Sequence, residues 1–198
     1  MPDPSPSAAE SRSPRAERSR AAIADAALEL IRGGDTRPTA ARVAERAGIS
    51  ERLVFHHFTD LEELLQVVAD RQVAHVLARA PELPTTGPLE VRLRAVVDAR
   101  AEMNEWITPV RRASVVREPF SDALAAKRDN LNEGGRAQVA EVFALELGGR
   151  ESTDGADLLA ALDLALSWPA WEALRTRGAS VEQARRVVER TLRALLEG

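Results

Sequence analysis

The sequence predicts an all-α protein: a small N-terminal head of three helices, joined through a fourth helix to a larger helical body. Three observations carry this prediction. Apolar residues recur three and four positions apart in one segment after another, and no segment alternates as a half-buried strand does. Side chains that start helices (Thr39, Ser50, Asp60, Ser180) stand directly before such segments, and Gly48 and Gly178 separate them. The chain has 198 residues, 44% apolar and 29% charged, which is enough to fold and to bury a core.

Composition narrows the function classes. With no cysteine there is no disulfide framework, no zinc finger and no thiol nucleophile, which fits a reducing cytoplasm. No apolar run approaches the ~20 residues of a membrane span, so no membrane partner is expected. Residues 1–20, MPDPSPSAAESRSPRAERSR, lack the apolar core of a secretory signal. The net charge of −4 is unevenly spread. Residues 11–60 hold nine Arg against seven acids, whereas residues 61–198 hold eighteen Arg and Lys against twenty-two acids. A mildly basic N-terminal part on an acidic body suits a small DNA footprint. No phosphate-cradling glycine loop, nucleophile elbow or metalloprotease His pair is present. The acids are spread as solvated charge, so no enzyme activity, catalytic residue or cofactor is expected.

Taken in order, residues 1–16 read as a disordered tail, with Pro2, Pro4, Pro6 and Pro14 among Ser and Ala. Arg12, Arg15, Arg18 and Arg20 form either a solvated run or a basic arm reaching phosphates. A first helix is expected from about Arg18 to Arg32, with Ile23, Ala27, Leu30 and Ile31 on its apolar face. Two short helices follow within residues 37–60. Asp60 and Glu63 make a capping box for a helix from Leu61 to about Arg79. Residues 81–88, PELPTTGP, are a linker. Helices are then expected over Leu89–Asn104 and Glu105–Arg117, the second disturbed at Pro109. Another runs from Pro119 to Gly148-Gly149, weakened at Gly134-Gly135. A helix from Asp154 or Asp157 to Arg177 and one from Ser180 to Leu196 close the chain.

Residues 37–60, RPTAARVAERAGISERLVFHHFTD, organise the rest. Thr39 caps a helix whose Val43, Ala44 and Ala47 share a face. Gly48 allows a tight turn, Ser50 caps the next helix, and Val54 and Phe58 lie one turn apart. Spacing alone admits two readings, an αα-hairpin within a helical domain or a helix-turn-helix whose second helix enters a DNA major groove. The last two helices carry apolar arcs wider than one amphipathic face needs. Leu158, Leu162 and Ala165 on the first, and Val188 and Leu195 on the second, fit a homodimer interface, the alternative being a thicker core.

The segment from Arg20 to Val67 resembles the DNA-binding domain of the TetR family of bacterial transcriptional regulators. The resemblance rests on Ile23, Ala26-Ala27, Gly34, Thr39, Val43-Ala44, Ala47-Gly48-Ile49-Ser50, Val54-Phe55, His57-Phe58, Asp60 and Glu62-Glu63-Leu64-Leu65. It implies a head over residues 17–65 and a helical ligand-binding and dimerisation domain over residues 66–198. It also implies a ligand-responsive regulator, a repressor, that binds a pseudo-palindromic double-stranded DNA operator as a cytoplasmic homodimer. The DNA-facing set is then Thr39, Ser50, Glu51, Arg52, Leu53, Phe55, His56 and His57. Phe55 stands where the family often has Tyr, and Leu61 where Lys is common, so two phosphate contacts are absent. Arg52 stands where a small residue is frequent; it can contact phosphate or read guanine through a bidentate pair.

The resemblance further implies a pocket for an unidentified small-molecule effector in the body. Met103, Trp106, Phe120 and Phe143 are large enough to line it, with Arg111, Glu105 or Asn104 as polar fixtures, although each also suits a plain core. Trp168 and Trp171 fit pocket, core or partner equally well. His56, His57 and Asp60 invite a metal, but three ligands on one short helix make a poor site, and none is expected. The alternative to the regulator is a helical small-molecule sensor or carrier without sequence-specific DNA binding.

Overall fold

The computed structural model describes residues 14–149 and 151–198, and among these the chain is helical with no strand. It forms two compact units that divide between Val68 and Ala69.

The first unit contains α1 (Pro14–Arg32), α2 (Ala40–Ala47), α3 (Glu51–His57) and the start of α4 (Leu61–Arg79). Helix α1 begins four residues before the expected Arg18, because Pro14 is well suited to a first turn and Glu17 complements the helix dipole. The expected tail therefore does not reach residue 16, and its first thirteen residues, with Arg12, lie outside the described residues. Ile23, Ala24, Ala27 and Ile31 of α1, Val43 and Ala44 of α2, Val54 of α3, then Phe58, Leu64 and Val68 are buried. Of these, Ile23, Ala27, Ile31, Val43, Ala44, Val54 and Phe58 are residues that helical spacing assigned to inward faces; Ala24 is not among them, and the expected Ala47 is only half-buried. The caps form as the sequence predicts. Thr39 Oγ1 accepts from the Arg42 amide at 3.3 Å and Ser50 Oγ from the Leu53 amide at 3.3 Å. Gly48 closes α2 at φ 67°, a left-handed conformation that costs glycine little and a branched residue much.

The second unit contains the rest of α4, α5 (Leu89–Val115), a 3-10 turn (Glu118–Phe120), α6 (Asp122–Val142), α7 (Ala144–Gly148), α8 (Ser152–Leu166), α9 (Trp168–Thr176) and α10 (Val181–Glu197). Its core gathers Leu93, Val96, Val97 and Ala101 of α5, Val139 and Val142 of α6, Phe143, Leu158, Leu162 and Leu166 of α8, Trp171 of α9, and Ala184, Val188, Leu192 and Leu196 of α10.

Three expected boundaries move. Helix α5 runs unbroken through Pro109, where two helices were predicted. Asn104, Ile107, Val110 and Ala113 are buried on both sides of the proline, and their packing outweighs the ~3 kcal/mol that an interior proline costs. Helix α6 starts after Ser121 rather than at Pro119, passes straight through Gly134-Gly135 and breaks at Phe143. There the Phe143 ring is fully buried, and Arg92 donates to the terminal Val142 carbonyl at 2.6 Å, supplying a partner that the helix end lacks. The expected helix up to Arg177 is two helices. Ser167 turns the chain between them, its hydroxyl donating to the Leu164 carbonyl at 2.7 Å and accepting from the Ala170 amide at 3.4 Å. Pro169 then sits in the first turn of α9, where its missing N–H costs nothing.

Candidate nucleic-acid interface

The chain enters α3 at a capped turn, so the Glu51–His57 helix has a fixed start and a defined outer face. Glu51, Arg52, Phe55 and His56 are exposed on it, Phe55 at 49% of its surface. Thr39 and Ser50 are exposed beside it and hold the two helix starts, whose amides can meet a phosphate. Two of the expected DNA-facing residues are less available. Leu53 and His57 are half-buried, because the helix is only seven residues long and both flank the inward Val54 and Phe58. The rings of His56 and His57 meet edge to face at 5.3 Å. Leu61, the other departure from the resemblance, is half-buried at the start of α4.

Arg20 is not part of a basic arm. Its side chain is folded into the head, where the guanidinium lies 4.0 Å from the centre of the Phe58 ring. It donates to the His57 carbonyl at the end of α3 and to Glu63 Oε1 at 2.6 Å. Glu63 completes the start of α4 in a shifted form of the predicted box. Its amide donates to Asp60 Oδ1 at 2.8 Å, while its carboxylate accepts from the Thr59 amide at 2.7 Å rather than from residue 60. The Thr59 amide first, and then Arg20, hold the Glu63 carboxyl below its ordinary value. Arg20 thus braces the end of the second motif helix against the next. The sequence marked Glu63 as a cap, but nothing local marks a partner 43 positions away.

In the body, the four expected pocket residues separate. Phe120 is 86% exposed. The 3-10 turn instead buries Glu118, which accepts from Arg111 on one oxygen and from Arg128 on the other at 2.9 Å, and residues of such a turn that are two apart cannot both point inward. Phe143 fills the core and has no free face for a ligand. Met103 and Trp106 are half-buried on α5, with the Trp106 ring stacked on His75 at 3.9 Å. Of the polar fixtures, Glu105 and Arg111 are partnered within the chain, while Asn104 is buried with its Oδ1 unpaired. Glu105 accepts from Trp171 Nε1 at 2.7 Å and from Arg175 at 2.8 Å, and Trp168 Nε1 donates to Thr108 Oγ1 at 3.0 Å. Both tryptophans of α9 therefore face α5 of their own chain.

Most of the expected dimer set is covered within the chain itself. Leu158, Leu162 and Val188 are buried inside the single chain, and Ala165 and Leu195 are half-buried. The wide apolar arcs are used up where α5, α8 and α10 share one core. What the same helices leave outside is Leu164, 68% exposed on α8, and Val187, 46% exposed on α10. Val187 lines an open groove on α10 together with Gln183, Arg186 and Arg190.

A capped two-helix element with an exposed polar second helix is the arrangement of a helix-turn-helix head. Residues 23–68 match the model of the family described as bacterial regulatory proteins, tetR family. The match covers the head, about a quarter of the chain. Among solved structures it is similar to a transcriptional regulator from Rhodococcus sp. Rha1, with 24% identity, TM-score 0.67, and 92% of this chain and 96% of that one covered. It is also similar to a tetR-family transcriptional regulator from Streptomyces coelicolor, with 18% identity, TM-score 0.64, and 90% and 79% covered. A third is the multidrug binding protein EbrR complexed with imidazole, with 21% identity, TM-score 0.57, and 87% and 93% covered. At these identities the likeness is one of fold. No curated protein matches the chain by sequence. Among the described residues no helix is long and apolar enough to cross a membrane.

Proposed function

We propose that the protein is a ligand-responsive transcriptional repressor that binds a pseudo-palindromic operator as a homodimer. The observation that carries this reading is the capped α3, which keeps Glu51, Arg52, Phe55 and His56 exposed on one short helix that Arg20 braces from behind. Two copies of that helix enter successive major grooves, with half-sites one turn (~34–36 Å) or a multiple apart. Thr39, Ser50 and the start of α3 position the head on phosphates, and Arg52 reads a base edge or replaces one of the phosphate contacts that Phe55 and Leu61 do not make. The half-buried Leu53 and His57 contribute at the margin of this surface.

The body supplies the control. A similar fold belongs to a multidrug binding protein, which supports a small-molecule effector here. Met103 and Trp106 are the apolar residues retained for its site. An effector shifts the regulator only by binding the DNA-competent and DNA-incompetent states unequally. The dimer face is carried by the exposed sides of α8 and α10, centred on Leu164 and Val187, in place of the buried leucines.

A genomic binding selection compares the wild type with Arg52→Ala. The wild type enriches a palindromic site, and the variant binds it roughly 10-fold or more weakly, since a good bidentate pair contributes ~1–3 kcal/mol of discrimination. Absence of any enriched palindrome with the wild type, and identical behaviour of the variant, leaves the sensor-without-DNA alternative.

A further inference from the structure

Arg100 is drawn in between α5 and α6, and its hydrogen-bond partners are all neutral. Nη2 donates to the Gly135 carbonyl at 2.7 Å and reaches Gln138 Oε1 at 3.5 Å, while Nη1 faces the Met103 sulfur at 3.9 Å. Nε is buried without an acceptor. Among the described residues no carboxylate pairs with it, whereas Arg92, Arg111, Arg128 and Arg175 of the same body each meet one. Asp163 acts on Arg100 only at longer range and is itself paired with Arg136 at 3.9 Å. Burial pushes the Arg100 guanidinium below its ordinary value. A desolvated charge without a counter-charge is costly, so its retention asks for a reason.

The chain is shaped around this cation. A Cβ at Gly135 would lie 2.9 Å from Arg100 Nη1, so a glycine in the middle of α6, unfavourable for a helix, is what lets the guanidinium reach the backbone. One turn further along α5, Asn104 is buried and donates through Nδ2 to the Leu166 carbonyl at 3.3 Å. Its Oδ1 has no donor. The amide cannot be flipped to cure this, because the flip would set oxygen against oxygen. The two residues are separated by about 6 Å along the helix axis, with Met103 between them.

We propose that Arg100 is the counter-charge for an organic carboxylate bound beside Met103 between α5 and α6, and that this ligand also donates a hydrogen bond toward Asn104. This rests on the regulator reading above and names the chemical class of its effector. A single guanidinium matches one carboxylate charge, while a phosphate dianion asks for more cation than Arg100 supplies. The acid neutralises the half-buried charge and gives Nε its missing acceptor. A hydroxyl or amide N–H on the same molecule satisfies Asn104 Oδ1.

Titration calorimetry on the full chain tests this with 4-hydroxybenzoate as the probe, against 4-hydroxybenzamide and inorganic phosphate. The wild type binds the acid saturably, and binds the amide and phosphate at least about 10-fold more weakly. Arg100→Met lowers affinity for the acid roughly 10- to 100-fold, the effect of removing a charge-assisted hydrogen bond. The same variant is at least as stable toward urea as the wild type, because it removes a half-buried charge that has no carboxylate partner. Gly135→Ala, favoured by helix propensity, displaces the guanidinium and also weakens the acid. The proposal is overturned if the acid and the amide bind equally, if the wild type binds the acid without saturation, or if Arg100→Met is destabilised, which makes Arg100 a structural brace. Calorimetry needs no DNA, so its failure is distinct from a failure of the DNA selection.

Discussion

Arg20 and Glu63 show how single side chains set the geometry of the head. Arg20 ties the last carbonyl of α3 to the first turn of α4, over the Phe58 ring, and Glu63 receives both Arg20 and the Thr59 amide. Because Glu63's folded value lies below its ordinary 4.5, its contribution is fully present above that pH and is lost as acid carries the pH down through the folded value. Glu63→Gln therefore costs about 1 kcal/mol at neutral pH and flattens the acid side of the stability profile, as urea unfolding at pH 7 and below 4.5 measures. The caps themselves were legible in the sequence, since Thr39, Ser50, Asp60 and Ser180 each act on the amide three residues away. Arg20's role was not legible, because a contact across 43 positions leaves no local periodicity, and an arginine near other arginines reads as a basic arm.

Among the elements, the breaks were harder to read than the helices. Proline and paired glycines argue locally for a break, yet α5 and α6 run through theirs because burial on either side, or a guanidinium laid on the backbone, decides. The break at Phe143 rests on Arg92, which joins Val142 and Glu146 to the Gly87 carbonyl and is itself almost wholly buried. The Arg92 pair holds the Glu146 carboxyl below its ordinary value. Arg92→Met leaves that carboxylate and the Val142 carbonyl without their partner and lowers stability by about 3 kcal/mol in chemical denaturation. Adding Glu146→Met recovers much of the loss, since removing both partners leaves no orphaned charge. Ser167 and Pro169, on either side of Trp168, carry a stop-and-restart signal in the sequence, yet the apolar periodicity on both sides predicted one helix to Arg177.

For the whole molecule, the fold class and the order of head and body follow from the sequence, while the residues assigned to surfaces between molecules do not. A helical stripe says that a face is apolar and is silent on whether the chain or its twin covers it. Leu158, Leu162 and Val188 are covered by the chain itself, and the same ambiguity sent Phe143 to the core and Phe120 to the surface. The remaining outer face of α8 and α10 makes a direct prediction. Leu164→Glu combined with Val187→Glu converts a dimer to a monomer in sedimentation velocity while the far-UV spectrum stays helical, because neither side chain is part of the core. A variant that remains dimeric places the twofold contact elsewhere.

The proposed function requires α3 to read DNA in twofold-related pairs. A hydroxyl-radical footprint of the protein on its selected site measures this directly. Two equivalent protected tracts, related by the centre of the palindrome and one helical turn (~34–36 Å) or a multiple apart, are the result expected, and Arg52→Ala weakens both together. A single asymmetric tract, or protection that is indifferent to sequence and unchanged by Arg52→Ala, contradicts it.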